Sequence, residues 1–148
     1  MKVINIRENH KIWPQVQKLF PDVMKWRADK TDKGDYHFIC AVDSGARVNA
    51  AMAMDIGPMA IGPLKNNRIA FIEGLAFRVG HDTKSGPALI KNTLRYLKAK
   101  GCKHVRGQIS YKQKGALQVM QKLGFATVPI DNPGERCKTN QYLVVKSL

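Results

Sequence analysis

The apolar spacing of this chain predicts a mixed α/β fold in the order β-α-α-β-β-β-α-β-α-β-β. Three observations carry that reading. Short alternating or continuous apolar runs recur at strand length. Between them lie stretches with apolar residues three and four apart. Gly, Pro, Asp and Asn punctuate the boundaries. A length of 148 residues with 44% hydrophobic and 24% charged residues suits one folded domain, 1–148, with its own core.

The elements follow in order. Met1–Arg7 alternates as a first strand. Residues 9–20 place Ile12, Val16, Leu19 and Phe20 on one helical face; Pro21-Asp22 breaks it, and Val23–Ala28 forms a second short helix. Residues 31–35 are a polar loop. Tyr36–Val42 alternates as a strand, Asp43-Ser44-Gly45 signals a hairpin, and Arg47–Ile56 returns. Residues 57–67 form a Gly, Pro and Asn-rich loop. Arg68–Phe77 is an apolar, buried strand. Ser85 is placed to cap the next helix, with Pro87 in its first turn, a buried stripe of Leu89, Ile90, Leu94 and Leu97, and Gly101 as its stop. His104–Ser110 is a strand and Gly115–Leu123 a helix stopped by Gly124. Phe125–Ile130 and Gln141–Lys146 are the last strands.

Composition narrows the function classes. Lys+Arg number 25 against 11 Asp+Glu, a net charge of +14, which points to an anionic partner. No apolar run is long enough to span a membrane, and no signal-peptide core precedes the first strand. The three cysteines, Cys40, Cys102 and Cys137, are far apart and form no CxxC pair or metal-ligand spacing with His. Reduced thiols in the cytoplasm are the expectation.

The chemistry concentrates between Ile69 and Phe125. The strand IAFIEGLAF runs into the turn VGHDTKSGPA at the start of an amphipathic helix. A strand, a Gly-containing turn and a helix N-terminus form an anion site, because backbone N–H groups point outward and the helix dipole favours phosphate. The backbone N–H groups of Lys84–Ala88 are the expected donors, with Lys84 adding charge. Neither a P-loop frame nor GxGxxG is present.

At Thr83-Lys84-Ser85-Gly86-Pro87-Ala88 the sequence resembles the [Gln/Arg]-x-x-Gly-x-[Gly/Ala] turn of the GNAT superfamily of N-acetyltransferases. Gly86 and Ala88 match; Thr83 stands where the family has Gln or Arg, and the segment after Phe77 is one residue longer. Gln113-Lys114-Gly115-Ala116 resembles the family's Asn-x-x-Ala, and Met120-Gln121-Lys122-Leu123-Gly124-Phe125 its Tyr-x-Lys-Leu-Gly-Phe; Gln113 and Met120 depart. The resemblance runs over the whole element order. It implies a mostly antiparallel central sheet flanked by helices, with the fourth and fifth strands splayed. It implies acetyl-CoA as cofactor and direct attack by an amine acceptor, a small molecule or a protein. It places cofactor contacts on Leu75, Ala76, Phe77, Thr83, Lys84, Ser85, Gly86, Pro87, Ala88, Gln113 and Ala116. A backbone N–H near Leu75 is the implied oxyanion donor.

Direct attack requires a deprotonated amine, so a base or water relay is expected. Glu73 is the candidate. It is one of three Glu in the chain, with Glu8 and Glu135, and only Glu73 lies within an apolar strand. A carboxylate there must be paired, open to a cleft or shifted in pKa. Gly74 beside it fits a bulge that re-aims the side chain. The structural alternative pairs Glu73 with Arg47 or Arg68. For the general acid, Tyr111 and Tyr142 are the candidates in place of Met120, which cannot donate a proton; either is otherwise a packed aromatic. CoA thiolate, with a thiol pKa of about 8.5 by analogy with Cys, also departs without an acid. His81 lies in the phosphate turn, Trp13 reads as core, and Trp26 is a candidate wall on the acceptor side.

Residues 78–122 contain eleven bases and one acid, a net +10 of the total +14. Lys91, Arg95 and Lys98 read as a solvated helix face. Two other functions compete with acetyl transfer. One is a basic nucleic-acid-binding module, against which stands the lack of interleaved aromatics beyond Tyr96 and Tyr111. The other is a catalytically degenerate GNAT-like binding or structural protein, which Thr83, Gln113 and Met120 permit.

Overall fold

In the computed structural model, which describes residues 1–29, 35–58, 68–80, 84–130 and 140–148, seven strands form one sheet. They are β1 (Lys2–Ile6), β2 (Tyr36–Val42), β3 (Val48–Pro58), β4 (Arg68–Phe77), β5 (Cys102–Ser110), β6 (Ala126–Ile130) and β7 (Gln141–Ser147). Their order in space is β1-β2-β3-β4-β5-β7-β6. All neighbouring pairs but one run antiparallel. β4 and β5 are joined through a helix and run parallel, as a crossover connection requires. The four helices of the described residues are α1 (Trp13–Leu19), α2 (Pro21–Ala28), α3 (Ser85–Ala99) and α4 (Lys114–Lys122).

Strand alternation sends side chains to two faces, and each face has its own core. On one, Leu89, Ile90 and Leu97 of α3 and Met120 of α4 pack on Met52, Met54, Val105 and Val144. On the other, Trp13, Val16, Phe20 and Val23 of α1 and α2 pack on Phe38, Cys40, Ala51 and Ala53. Each fully buried large side chain contributes about 1.5–3 kcal/mol. The Trp13 ring meets Phe38 edge-on, with centroids 5.0 Å apart.

Several boundaries differ from expectation, each for a local reason. The first helix begins at Trp13 rather than residue 9, because Pro14 fits only a first turn; His10–Trp13 is a turn closed by Trp13 N–H donating to the His10 carbonyl at 3.0 Å. Pro21 likewise starts α2 instead of separating it. In the β2–β3 hairpin the left-handed position falls on Ala46 (φ 58), not Gly45. Asp43 organises the turn: Oδ1 accepts from the N–H groups of Gly45 (2.9 Å) and Arg47 (3.0 Å), and those bonds hold its carboxyl below the usual range. Gln15 of α1 staples the hairpin from below, donating to the Ala46 carbonyl and accepting from Val48 N–H.

Ser85 does not cap α3. The cap position is Lys84, already helical at φ −78, ψ −18, so Ser85 lies inside the helix, fully buried. Its hydroxyl has no hydrogen-bond partner among the described residues. Gly101 (φ 80) and Gly124 (φ 88) do stop α3 and α4. Of the loops read from sequence, residues 30–34, 59–67 and 131–139 lie outside the described residues, as do His81, Thr83 and Cys137.

Candidate functional site

The site grows from a fork in the sheet. β4 pairs with β5 from Arg68 to Ile72 only, the last partners being Ile72 and Gly107. From Glu73 to Phe77, β4 keeps β3 as neighbour and loses β5. Two sequence features build the fork. In the β3–β4 ladder, Ala53 pairs with Gly74 and Met54 with Ile72, so Glu73 is the extra residue of a bulge. A bulge bends and twists its strand. At the crotch, a Cβ on Gly107 would stand 2.9 Å from the Ile72 Cβ; glycine lets the strands touch where pairing ends.

On the open half, alternate residues of β4 turn their N–H and C=O away from β3, toward the space β5 has vacated. That half leads to the turn before α3. Beyond it, a cavity of about 360 Å³ opens between the N-terminal ends of α3 and α4. It gathers five of the residues singled out in the sequence: Phe77, Gly86, Pro87, Gln113 and Ala116. Ile90, Gly115 and Val119 complete its wall. Neither of the last two carries a signal in the sequence: glycine has no side chain, and Val119 reads as one more apolar position of α4. Gly86 is close-packed here: a Cβ on it would lie 3.1 Å from the Phe77 ring.

The donor set at the α3 start is smaller than expected. Pro87 has no N–H, and the Ala88 N–H is directed to the Lys84 carbonyl at 3.4 Å. Among the described residues, the first-turn N–H groups given no acceptor are those of Ser85 and Gly86, beside the exposed Lys84 side chain. Arg78 ties the turn to β3: its N–H donates to the Asn49 carbonyl at 2.8 Å, and its guanidinium to Asn49 Oδ1 at 2.6 Å.

A second, smaller cleft of about 150 Å³ lies on the α1–α2 side of the fork. Glu73, Leu75 and Ala76 form one wall; Phe20, Asp22 and Trp26 belong to the other. Trp26 is therefore beside Glu73, while Trp13 is core. Gly74 again allows the approach, since a Cβ there would meet the Phe20 ring at 2.9 Å. Of the two arginines weighed as structural partners of Glu73, Arg47 faces Asp43, Nε to Oδ2 at 3.3 Å. Arg68 sits five residues back along the strand, about 16 Å away at extended spacing.

Tyr111 and Tyr142 line neither cavity. Their rings stack on each other, centroids 4.4 Å apart and planes at 27°, where β5 ends and β7 begins. Met120 is fully buried in the α3–α4 core, so its position does not face the cavity at all. Cys40 and Cys102 are poor nucleophiles: burial pushes the Cys40 thiol up to about 12 and raises Cys102 as well. Among the described residues no cluster of His, Cys, Asp and Glu has the makings of a metal site, and no helix is long and apolar enough to cross a membrane.

No protein-family model matches the chain, and no curated protein matches it by sequence. Solved structures do match. NAA60 of Arabidopsis thaliana in complex with acetyl-CoA superposes with a TM-score of 0.74 over 99% of both chains, at 13% identity. A GCN5-related N-acetyltransferase from Kribbella flavida gives 0.70 over 99% of this chain and 98% of that one, at 14% identity. Naa50 of Arabidopsis thaliana, bound to the bisubstrate analogue CoA-Ac-MVNAL, gives 0.69 over the full length of both chains, at 17% identity. The chain has the GNAT fold, with its parallel β4–β5 pair in an otherwise antiparallel sheet.

Proposed function

We propose that this chain is an acetyl-CoA-dependent N-acetyltransferase. The observation that carries the reading is the fork: an open β4 edge that ends at a helix N-terminus and a cavity, with one carboxylate at the bulge. The residues present fit the cofactor. The cavity between α3 and α4 has mainly apolar walls, the open strand turns backbone groups away from β3, and Ser85, Gly86 and Lys84 stand at the positive end of α3. When bound, acetyl-CoA supplies a thioester carbon activated toward amines.

The chain's own residues do the rest. The β4 edge from Leu75 to Phe77 aligns the cofactor arm, and Pro87, Gln113 and Ala116 wall its path. Glu73, at the bulge, takes the proton from the incoming ammonium. The cleft that holds Glu73 also presents Asp22 and the Trp26 ring, a local environment suited to a cationic amine on a protein of net charge +14. A CoA thiolate, with a thiol pKa of about 8.5, would need no dedicated acid and would take its proton from solvent; Tyr111 and Tyr142 stand apart in their own stack. The acceptor is an amine on a small molecule or a protein.

The test is acetyl-CoA binding followed by transfer to an amine panel. Acetyl-CoA raises the melting temperature of the wild-type chain and of Glu73→Gln alike. Glu73→Gln lowers kcat/KM by about 10²-fold or more and removes the acid limb of the pH profile. A pH profile unchanged in the variant takes Glu73 out of the mechanism. Absence of stabilisation at millimolar acetyl-CoA removes the proposal itself.

A further inference from the structure

At the far end of α3 lies a third cavity, of about 460 Å³, within the range of small-molecule sites. Tyr96 and Lys100 from the last turns of α3 form one side, and Asn5 and Arg7 of the β1 end another. His37 and Asp35 at the start of β2 close it. Gly86 and Tyr96 are ten residues apart on one helix, so this cleft is about 15 Å from the α3 N-terminus. None of its residues lines the fork cavities.

Its interior is an ordered polar chain. Asn5 Nδ2 donates to the Tyr96 hydroxyl at 3.0 Å. The same hydroxyl is hydrogen-bonded to His37 Nδ1, 2.7 Å away. Nε2 of His37 lies 3.1 Å from Asp35 Oδ2, outside hydrogen-bond alignment. Asp35 is anchored by its own N–H, which donates to Asp55 Oδ1 at 2.9 Å. Each member holds the next in place, so the cleft is preorganised.

The charges do not cancel. Glu8 is engaged by Arg27, whose guanidinium also lies over the Trp13, Tyr36 and Phe38 rings. Asp35 faces His37. Arg7 and Lys100 make no ion pair among the described residues, and set against the Asp35 carboxylate they leave the lining one positive charge in excess. The Lys100 ammonium sits 5.5 Å from the Tyr96 ring centroid. Burial raises the Tyr96 hydroxyl pKa; the Asn5 hydrogen bond opposes this, the Asp35 charge adds to it and the Arg7 charge opposes it. Two cations, one in excess of the lining carboxylates, flank a hydroxyl and an amide in one concave place.

We propose that this cleft is a second ligand site, separate from acetyl transfer, that takes a small organic anion by its phosphate or carboxylate head. Arg7 and Lys100 hold the head, and the Tyr96–Asn5 pair orients it. Some of the chain's surplus positive charge is thereby assigned a purpose other than the cofactor.

The test is a nuclear magnetic resonance titration at constant ionic strength, with inorganic phosphate and, separately, citrate. Saturable shifts are expected at the Asn5 side-chain amide and at Tyr96. The double variant Arg7→Gln/Lys100→Gln weakens binding by about tenfold or more, whereas Lys91→Gln/Arg95→Gln on the exposed α3 face leaves it unchanged. Saturation by phosphate alone assigns phosphoryl ligands, and by citrate alone carboxylates; either supports the site. Non-saturable shifts, shifts confined to the Gly86 turn, or unaltered affinity in the Arg7/Lys100 variant overturn it. Acetyl-CoA binding plays no role in the readout, so the fate of this site and that of the transferase reading are decided separately.

Discussion

Arg68–Ile72 and Glu73–Phe77 are two halves of one strand with nearly the same apolar character. The first is hydrogen-bonded on both sides, to β3 and to β5, and Ile69 and Ala70 are sealed from water. The second is bonded to β3 alone, and every residue from Glu73 to Phe77 is half-buried. The difference is made by two positions, the bulge at Glu73 and the glycine contact at Gly107. A site in this fold is thus the place where a good strand is denied its partner. Backbone groups that would have met β5 turn into the open fork instead, and a carboxylate that would be expensive between two strands is set at the rim of a cleft.

The comparison is broken most strongly at its sealed half. Ile69→Ala is expected to cost about 2–5 kcal/mol, because the surrounding sheet cannot collapse into the space. Urea denaturation measures it, and turnover per folded molecule stays near that of the wild type. Gly107→Ala comes next. Its new Cβ would press on the Ile72 Cβ, backbone-proximal atoms on both sides, so β4 and β5 must separate sooner along their length. A cost of about 1–3 kcal/mol is expected, and with it a wider fork, read as faster amide exchange at Ile72 than at Ile69.

How much of this is legible in the sequence depends on the length scale of the cause. Strands and helices follow from spacing within a few residues, and nearly all of them stand where Leu89, Ile90, Leu97 or the Phe38–Val42 alternation put them. Capping at Ser85 is not legible in this way, because a cap depends on how the chain enters the helix, and here Lys84 is already helical. The donor count at the turn is half legible: Pro87 announces its missing N–H, but the Ala88 N–H is spent only because the Lys84 carbonyl lies within the helix's reach. Splaying of the fourth and fifth strands comes with the family resemblance; periodicity sees β4 as uniform. The polar cleft at the α3 C-terminus is invisible. Its hydrogen bonds join residues 91 and 59 positions apart, and no local pattern relates Asn5 to Tyr96.

The smallest expected effect falls on the open half and sharpens the comparison most. Leu75 pairs with Met52 on β3, packs partly on the α3–α4 core and borders the Glu73 cleft. Because its side chain is already half-exposed, Leu75→Ala removes only a fraction of a buried aliphatic group. A loss below about 1.5 kcal/mol follows, well under that of Ile69→Ala on the same strand. The functional effect runs the other way: stabilisation by acetyl-CoA shrinks in Leu75→Ala and persists in Ile69→Ala. Equal costs for the two truncations would mean that both halves of β4 are equally sealed in solution. The fork would then be closed without ligand, and the edge from Leu75 to Phe77 would have to be opened by binding rather than found open.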